Sequence, residues 1–148
     1  MFGGVSLLNL DNKGRLAIPA RYREILLKTF GSVLVATFEA KNHLLIYPES
    51  QWQLIEKKLV ALPAGNPALK AYQRLVLGHA ETLEMDGVGR ILIPTGLREI
   101  VFLEKAVALV GMGNRFELWN ATDWKVITED ALMIDRKLLN EALGEFSL

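Results

Sequence analysis

The sequence predicts an α+β fold built from two tandem copies of one β-rich motif with flanking helices, related by a pseudo-two-fold axis. Two observations lead there. The chain repeats itself over most of its length, and each copy carries the same succession of strand, turn, proline and helix signals. A third concerns size: 148 residues, 51% of them hydrophobic, suffice for one shared core, whereas neither half holds enough apolar surface to fold alone. The halves are therefore expected to pair, with residues 1–62 as the first repeat, 63–76 as a linking region, 77–128 as the second repeat and 129–148 as a helical tail.

The repeat begins with Leu10-Asp11-Asn12-Lys13-Gly14-Arg15-Leu16-Ala17-Ile18-Pro19, echoed by Met85-Asp86-Gly87-Val88-Gly89-Arg90-Ile91-Leu92-Ile93-Pro94. Arg23-Glu24-Ile25 returns in the same register as Arg98-Glu99-Ile100, and Leu34-Val35 as Leu109-Val110. A three-residue slip at a turn then aligns His43 through Trp52 with Arg115 through Trp124, and loops tolerate such a slip.

Each copy opens with an apolar strand and a D-x-x-x-R turn. Gly14 and Gly89 can take the positive φ that a tight turn requires, while Asp11 and Asp86 can accept backbone N–H bonds or pair with Arg15 and Arg90. Pro19 and Pro94 close the short strand that follows and suit the first turn of helices expected over Ala20 to Lys28 and Thr95 to Leu103. Val33 to Phe38 and Leu44 to Tyr47 then form a hairpin, repeated by Val107 to Val110 and Phe116 to Trp119. A helix follows in both copies, with Ser50 as the expected N-cap in the first and Thr122 or Asp123 in the second. Trp52, Trp124 and Tyr72 are read as core aromatics. Between the copies, Leu62 to Pro67 is a turn-rich break, and Ala68 to Leu77 reads as a helix with Leu69, Tyr72, Leu75 and Val76 on one side. The tail from Thr128 has helical spacing at Leu132, Leu138, Leu139 and Leu143, with an end expected to fray.

Charge narrows the function. Lys and Arg (17) balance Asp and Glu (17), so the total gives no sign of nucleic acid. Between Asp11 and Lys28, however, Lys13, Arg15, Arg21, Arg23 and Lys28 face only Asp11 and Glu24, a local basic excess small enough that, taken by itself, it reads better as a solvated face. Enzymatic chemistry finds no support: there is no cysteine, His43 and His79 lack metal-ligand spacing, and no serine sits in a nucleophile elbow. No cofactor is expected, and Gly111-Met112-Gly113 precedes a strand where a dinucleotide loop needs a helix. Asn9 and Asp11 interrupt the first apolar stretch, which also lacks a basic leader, and no apolar run spans a bilayer. A cytoplasmic address is the default expectation, with no membrane partner.

The block Asn9 to Glu24 resembles the first half of the MraZ family, and Leu77-Gly78-His79-Ala80 through Arg90 resembles its second half. Asn114-Arg115-Phe116-Glu117-Leu118-Trp119 adds a third match, so the likeness covers the chain up to about Trp124. The resemblance implies a swapped-hairpin fold of the AbrB-like class and a ring-like homo-oligomer. It also implies repression of the division and cell-wall gene cluster, through short direct repeats of double-stranded DNA in the protein's own promoter, at the nucleoid.

In that reading Arg15 is the first candidate for a base contact, because an arginine fork can grip two acceptors on a guanine edge. Lys13 would neutralise phosphate, Asn12 would bond a base or a phosphate, and Arg21 would add a backbone contact. Arg90 repeats Arg15, but Val88 and Gly87 replace Lys13 and Asn12, so the first copy is expected to carry the contacts and the second to be mainly structural or assembly-forming. Asp11, Gly14, Asp86 and Gly89 are the turn-structuring residues. The competing reading of Arg15 and Arg90 is an ion pair that merely holds each turn, and a competing reading of the whole chain is a ring-forming scaffold without DNA contacts.

Overall fold

Val5–Asn9 forms an edge strand, β1, with Ser6 and Leu8 half-buried and Val5 and Leu7 exposed, and Arg15–Ala17 beyond the Asp11 turn makes a second, β2. A computed structural model describes residues 1–148. Helix α1 occupies Ala20–Ile25 and widens into a π-helical turn over Leu26–Phe30. It is followed by β3 (Val33–Ala40), β4 (His43–Pro48), α2 (Glu49–Val60) and α3 (Pro67–Gly78). The second half runs β5 (Glu81–Glu84), β6 (Arg90–Leu92), α4 (Thr95–Ile100), β7 (Ala106–Gly111), β8 (Phe116–Asn120), α5 (Ala121–Leu132) and α6 (Arg136–Leu143).

Several local expectations need correction. The first helix of the second copy is shorter than expected, stopping at Ile100, whereas its counterpart continues past Ile25 as the π-helical turn to Phe30. Ser50 does not cap α2, which begins at Glu49 behind Pro48 with no side-chain cap. Neither Thr122 nor Asp123 caps α5; the side chain of Asn120 does, accepting from the Thr122 N–H, because β8 runs directly into the helix. Tyr72 is not a core residue: it is exposed, its hydroxyl donates to Glu39, and Gln73 takes the buried place on α3.

The sheet order explains why the halves need each other. Six strands lie in the order β1-β7-β8-β4-β3-β5, all antiparallel, and β2 pairs with β6 in a separate ribbon. Exchanging each strand for its counterpart in the other copy reproduces the same order. The pairings β1 with β7, β4 with β8, β3 with β5 and β2 with β6 each join one half to the other. Neither copy closes its own sheet.

Alternation on the strands sorts the core into two layers. Leu34, Ala36, Leu44, Ile46, Leu109 and Phe116 face inward with Leu16 and Ile91 of the ribbon, in a buried cluster of 21 residues that also holds Tyr22 and Leu97. On the opposite face of the sheet, Val35, Leu45 and Tyr47 lie under Trp52, Leu59 and Val76 of α2 and α3. Ala108, Val110 and Trp119 lie there too, against Trp124 of α5. His79 accepts a structural role: its Nδ1 lies 2.7 Å from the Leu75 carbonyl and its ring 4.8 Å from Phe38.

Candidate nucleic-acid interface

The two D-x-x-x-R turns fold alike because one carboxylate organises each. In the first, Asp11 Oδ1 accepts from the backbone N–H of Lys13 (2.9 Å) and of Arg15 (2.8 Å), while Oδ2 accepts from Arg15 Nε at 2.6 Å. In the second, Asp86 Oδ1 accepts from Val88 (3.0 Å) and Arg90 (2.9 Å), and Oδ2 from Arg90 Nε at 2.9 Å. The Arg15 N–H is the largest influence on Asp11, and partial desolvation opposes it. With the Arg15 guanidinium and the Lys13 N–H added, the carboxyl is held at about 2, below the ordinary 3.8. Asp86 is lowered for the same reasons, led by the N–H of Arg90.

Gly14 and Gly89 stand at φ of +85° and +84°, the left-handed region that a side chain avoids. Space forbids a side chain as well. A Cβ on Gly14 would lie 2.5 Å from Arg98 Cζ, and one on Gly89 would run into Arg23 Cδ. Each turn is thus covered by an arginine from the other half. Arg98 is fixed by bonds from Nε to the Ile93 carbonyl (3.0 Å) and from Nη2 to Thr95 Oγ1 (2.9 Å). Arg23 lies across the second turn, with Nη1 3.5 Å from the Val88 carbonyl.

The sequence reading places neither arginine over a turn, counting Arg23 in the basic stretch and both as markers of the repeat. The available signal was a repeated arginine at matched register beside a repeated turn glycine.

The ribbon brings the turns together. Arg15 pairs with Leu92, Leu16 with Ile91 and Ala17 with Arg90, and the ribbon is extended by bonds from Ile18 N–H to Gly89 O (2.9 Å) and from Ile93 N–H to Gly14 O (3.0 Å). Leu16 and Ile91 are fully buried, so Arg15, Ala17, Arg90 and Leu92 share the outer face. Arg15 and Arg90 are diagonal neighbours there, a relation that sets their stems about 7–8 Å apart. Each is tied to its aspartate only through Nε, and neither Nη group of either arginine has a partner within the chain. Bracing the turn and presenting a guanidinium fork are therefore compatible roles for the same side chain.

Asn12 and Lys13 are exposed at the tip of the first turn, and neither side chain bonds to the protein. Arg21 is not brought to that tip. Its Nη2 donates to Ser6 Oγ (2.9 Å) and the Tyr22 hydroxyl (2.8 Å), and its guanidinium stacks on the Tyr22 ring. In the second copy Gly87, Val88 and Gly96 stand where the first has Asn12, Lys13 and Arg21, so only Arg90 remains on that side.

A family model for MraZ protein matches residues 1–75 and again residues 76–143. The chain belongs to the MraZ family. Among relatives, a protein of Chromobacterium violaceum is 64% identical over 148 residues, covering 100% of both chains. Others from Nitrosospira multiformis (47%, 100% of both) and Shewanella amazonensis (45%, 100% of both) are similar along their whole lengths. All three carry the name transcriptional regulator MraZ, which describes a regulator and not an enzyme. The two matched spans meet between residues 75 and 76. No helix of the chain is long and apolar enough to cross a membrane.

Proposed function

We propose that the chain is a sequence-specific DNA-binding transcriptional regulator, a repressor of the division and cell-wall gene cluster that binds short direct repeats in its own promoter. The observation that carries this reading is the outer face of the β2–β6 ribbon, where two arginines are braced at Nε and open at both Nη groups. A two-stranded ribbon fits the major groove, and a guanidinium end can bond guanine O6 and N7 together.

Arg15 is the principal base contact, Arg90 its weaker counterpart, and Asn12 and Lys13 add a base or phosphate bond and a phosphate charge. Arg21, held on Ser6 and Tyr22, contributes from the flank through Nη1 to the DNA backbone. Asp11, Gly14, Asp86 and Gly89 shape the turns. The strand exchange between repeats 1–62 and 77–128 supports an AbrB-like swapped-hairpin architecture, with 63–76 as the link and 129–148 as a tail.

One subunit with so few contacts binds weakly, since each phosphate contact releases little counterion. A ring-like homo-oligomer overcomes this by presenting the same ribbon to successive repeats, where effective concentration multiplies the contacts. Such a protein acts in the cytoplasm at the nucleoid.

The test is a binding titration of wild type and Arg15→Ala against DNA carrying one, two and three spaced repeats, at two salt concentrations. A steep gain with repeat number, lost in the variant, is the expected result. Binding that is absent or insensitive to salt and to Arg15 would favour a ring-forming scaffold instead.

A further inference from the structure

The two halves differ most where α3 lies. In the first half α3 sits beside α2 on the outer face of β3. Val76 is buried there against Val35 and Trp52, Gln73 Nε2 donates to the Leu59 carbonyl (2.6 Å), and Thr37 Oγ1 donates to the Val76 carbonyl (2.6 Å). At the corresponding place in the second half, beside α5 on the outer face of β7 and β1, no helix lies. A groove of about 660 Å³ runs there between Val5 and Leu7 on β1 and Ala121, Trp124 and Thr128 on α5. Leu7 is 72% exposed in it, and it opens at an edge strand of the sheet.

The helix that follows α5, as α3 follows α2, is α6. Leu138, Leu139, Ala142 and Leu143 fall on one side of it, with Lys137, Asn140 and Glu141 on the other, yet it buries no residue. Leu138 is 64% exposed and Leu143 40%. An apolar groove and an apolar helix face thus occur on one chain without covering each other.

We infer that the groove between β1 and α5 is filled by α6 of a second copy of this chain, seated as α3 is seated in the first half. The internal repeat shows that this position on the fold takes an amphipathic helix, and α6 is the amphipathic helix of the chain left without a seat. A helix from one subunit in a groove of the next is a heterologous contact, which propagates around a ring when the rotation closes. The rim of the groove carries Lys125 and Glu129, and α6 carries both signs beside its apolar stripe, so charge can be matched along the contact. The inference deepens the assembly part of the proposed function and is independent of DNA binding.

The absence of cysteine makes the test direct. Full-length Leu7→Cys and Leu143→Cys proteins are mixed without DNA and oxidised, with Leu138→Cys as a second register for α6 and each single variant oxidised alone as control. A covalent species of two different chains is expected in the mixture, and multimers of higher order in the Leu7→Cys/Leu143→Cys double variant. A double variant that closes only within its own chain, while the mixture gives nothing, would show that each α6 covers its own groove and would overturn the inference. No cross-link in either register would overturn it as well. A cross-link formed by a protein that binds no repeat-bearing DNA would leave the inference standing while the DNA-binding reading failed, and DNA binding without a cross-link would do the reverse.

Discussion

Between the two halves of the chain, the ribbon and its turns match almost bond for bond, whereas the outer layers do not. The matched part carries the same carboxylate bonds, the same positive-φ glycines and the same arginine from the opposite half. The unmatched part covers Val35, Leu45 and Tyr47 with two helices in one half, and Ala108, Val110 and Trp119 with one in the other. A duplicated motif must keep whatever each copy does for the other, and here that is the exchange of strands and the arginine over each turn. Elsewhere the copies are free to diverge, and the first gathers the exposed polar side chains at its turn while the second leaves a groove open.

Truncating the paired tryptophans should separate the two halves most. Trp52 is buried with its ring 5.8 Å from Tyr47, and Trp124 lies at the same distance from Trp119 but is only half-buried. Trp52→Ala should cost about 3–5 kcal/mol in chemical denaturation. Trp124→Ala should cost clearly less at concentrations where the chain is monomeric; equal losses would mean that the groove beside α5 is already filled within one subunit.

Next come the turn glycines. Gly14→Ala and Gly89→Ala should each lose about 1–3 kcal/mol of stability, because both place a side chain at positive φ against an arginine. Similar losses at the two sites would sharpen the equivalence of the turns, and a neutral Gly89→Ala would break it.

The repeat, the turns, the hairpins and the shared core were legible in the sequence because each rests on local chemistry: a glycine, a proline, an alternating strand. Helix starts were less so. The sequence points to Ser50 and to Thr122 or Asp123 as caps, whereas α2 starts behind Pro48 and α5 behind Asn120, because the strands β4 and β8 run into their helices without a loop to mark the boundary. The spacing of Tyr72 points to the core, although Gln73 is the residue that finds a partner at the Leu59 carbonyl. At the site, the spacing in D-x-x-x-R announced the bond from Arg15 to Asp11. It did not announce Arg98 over Gly14, a contact between residues brought together only by the pairing of β2 with β6.

A smaller effect tests the asymmetry of charge. Val88→Lys restores to the second turn the cation that the first has in Lys13, and Val88 is exposed, so the fold should be unaffected. Binding should strengthen at low salt, and the slope of log affinity against log salt should steepen by about 0.9 for each turn that touches a phosphate. An unchanged slope would place the second turn off the DNA.

The smallest concerns acid. With its folded value at about 2 against an ordinary 3.8, Asp11 contributes stability that is fully present above pH 3.8 and lost as pH falls toward 2. Its carboxyl carbon, followed by NMR, should therefore titrate near pH 2; a midpoint near 3.8 would mean that the bonds to Lys13 and Arg15 are not held in solution.

A base-reading role for Arg15, braced by Asp11, is decided by Arg15→Lys. Lysine keeps the charge and loses the fork, so the ratio of specific to non-specific DNA affinity should fall, with a loss of about 1–3 kcal/mol in discrimination at each contacted base pair, while non-specific binding stays near wild type. A variant that retains full discrimination would show that Arg15 supplies only charge and the shape of its turn.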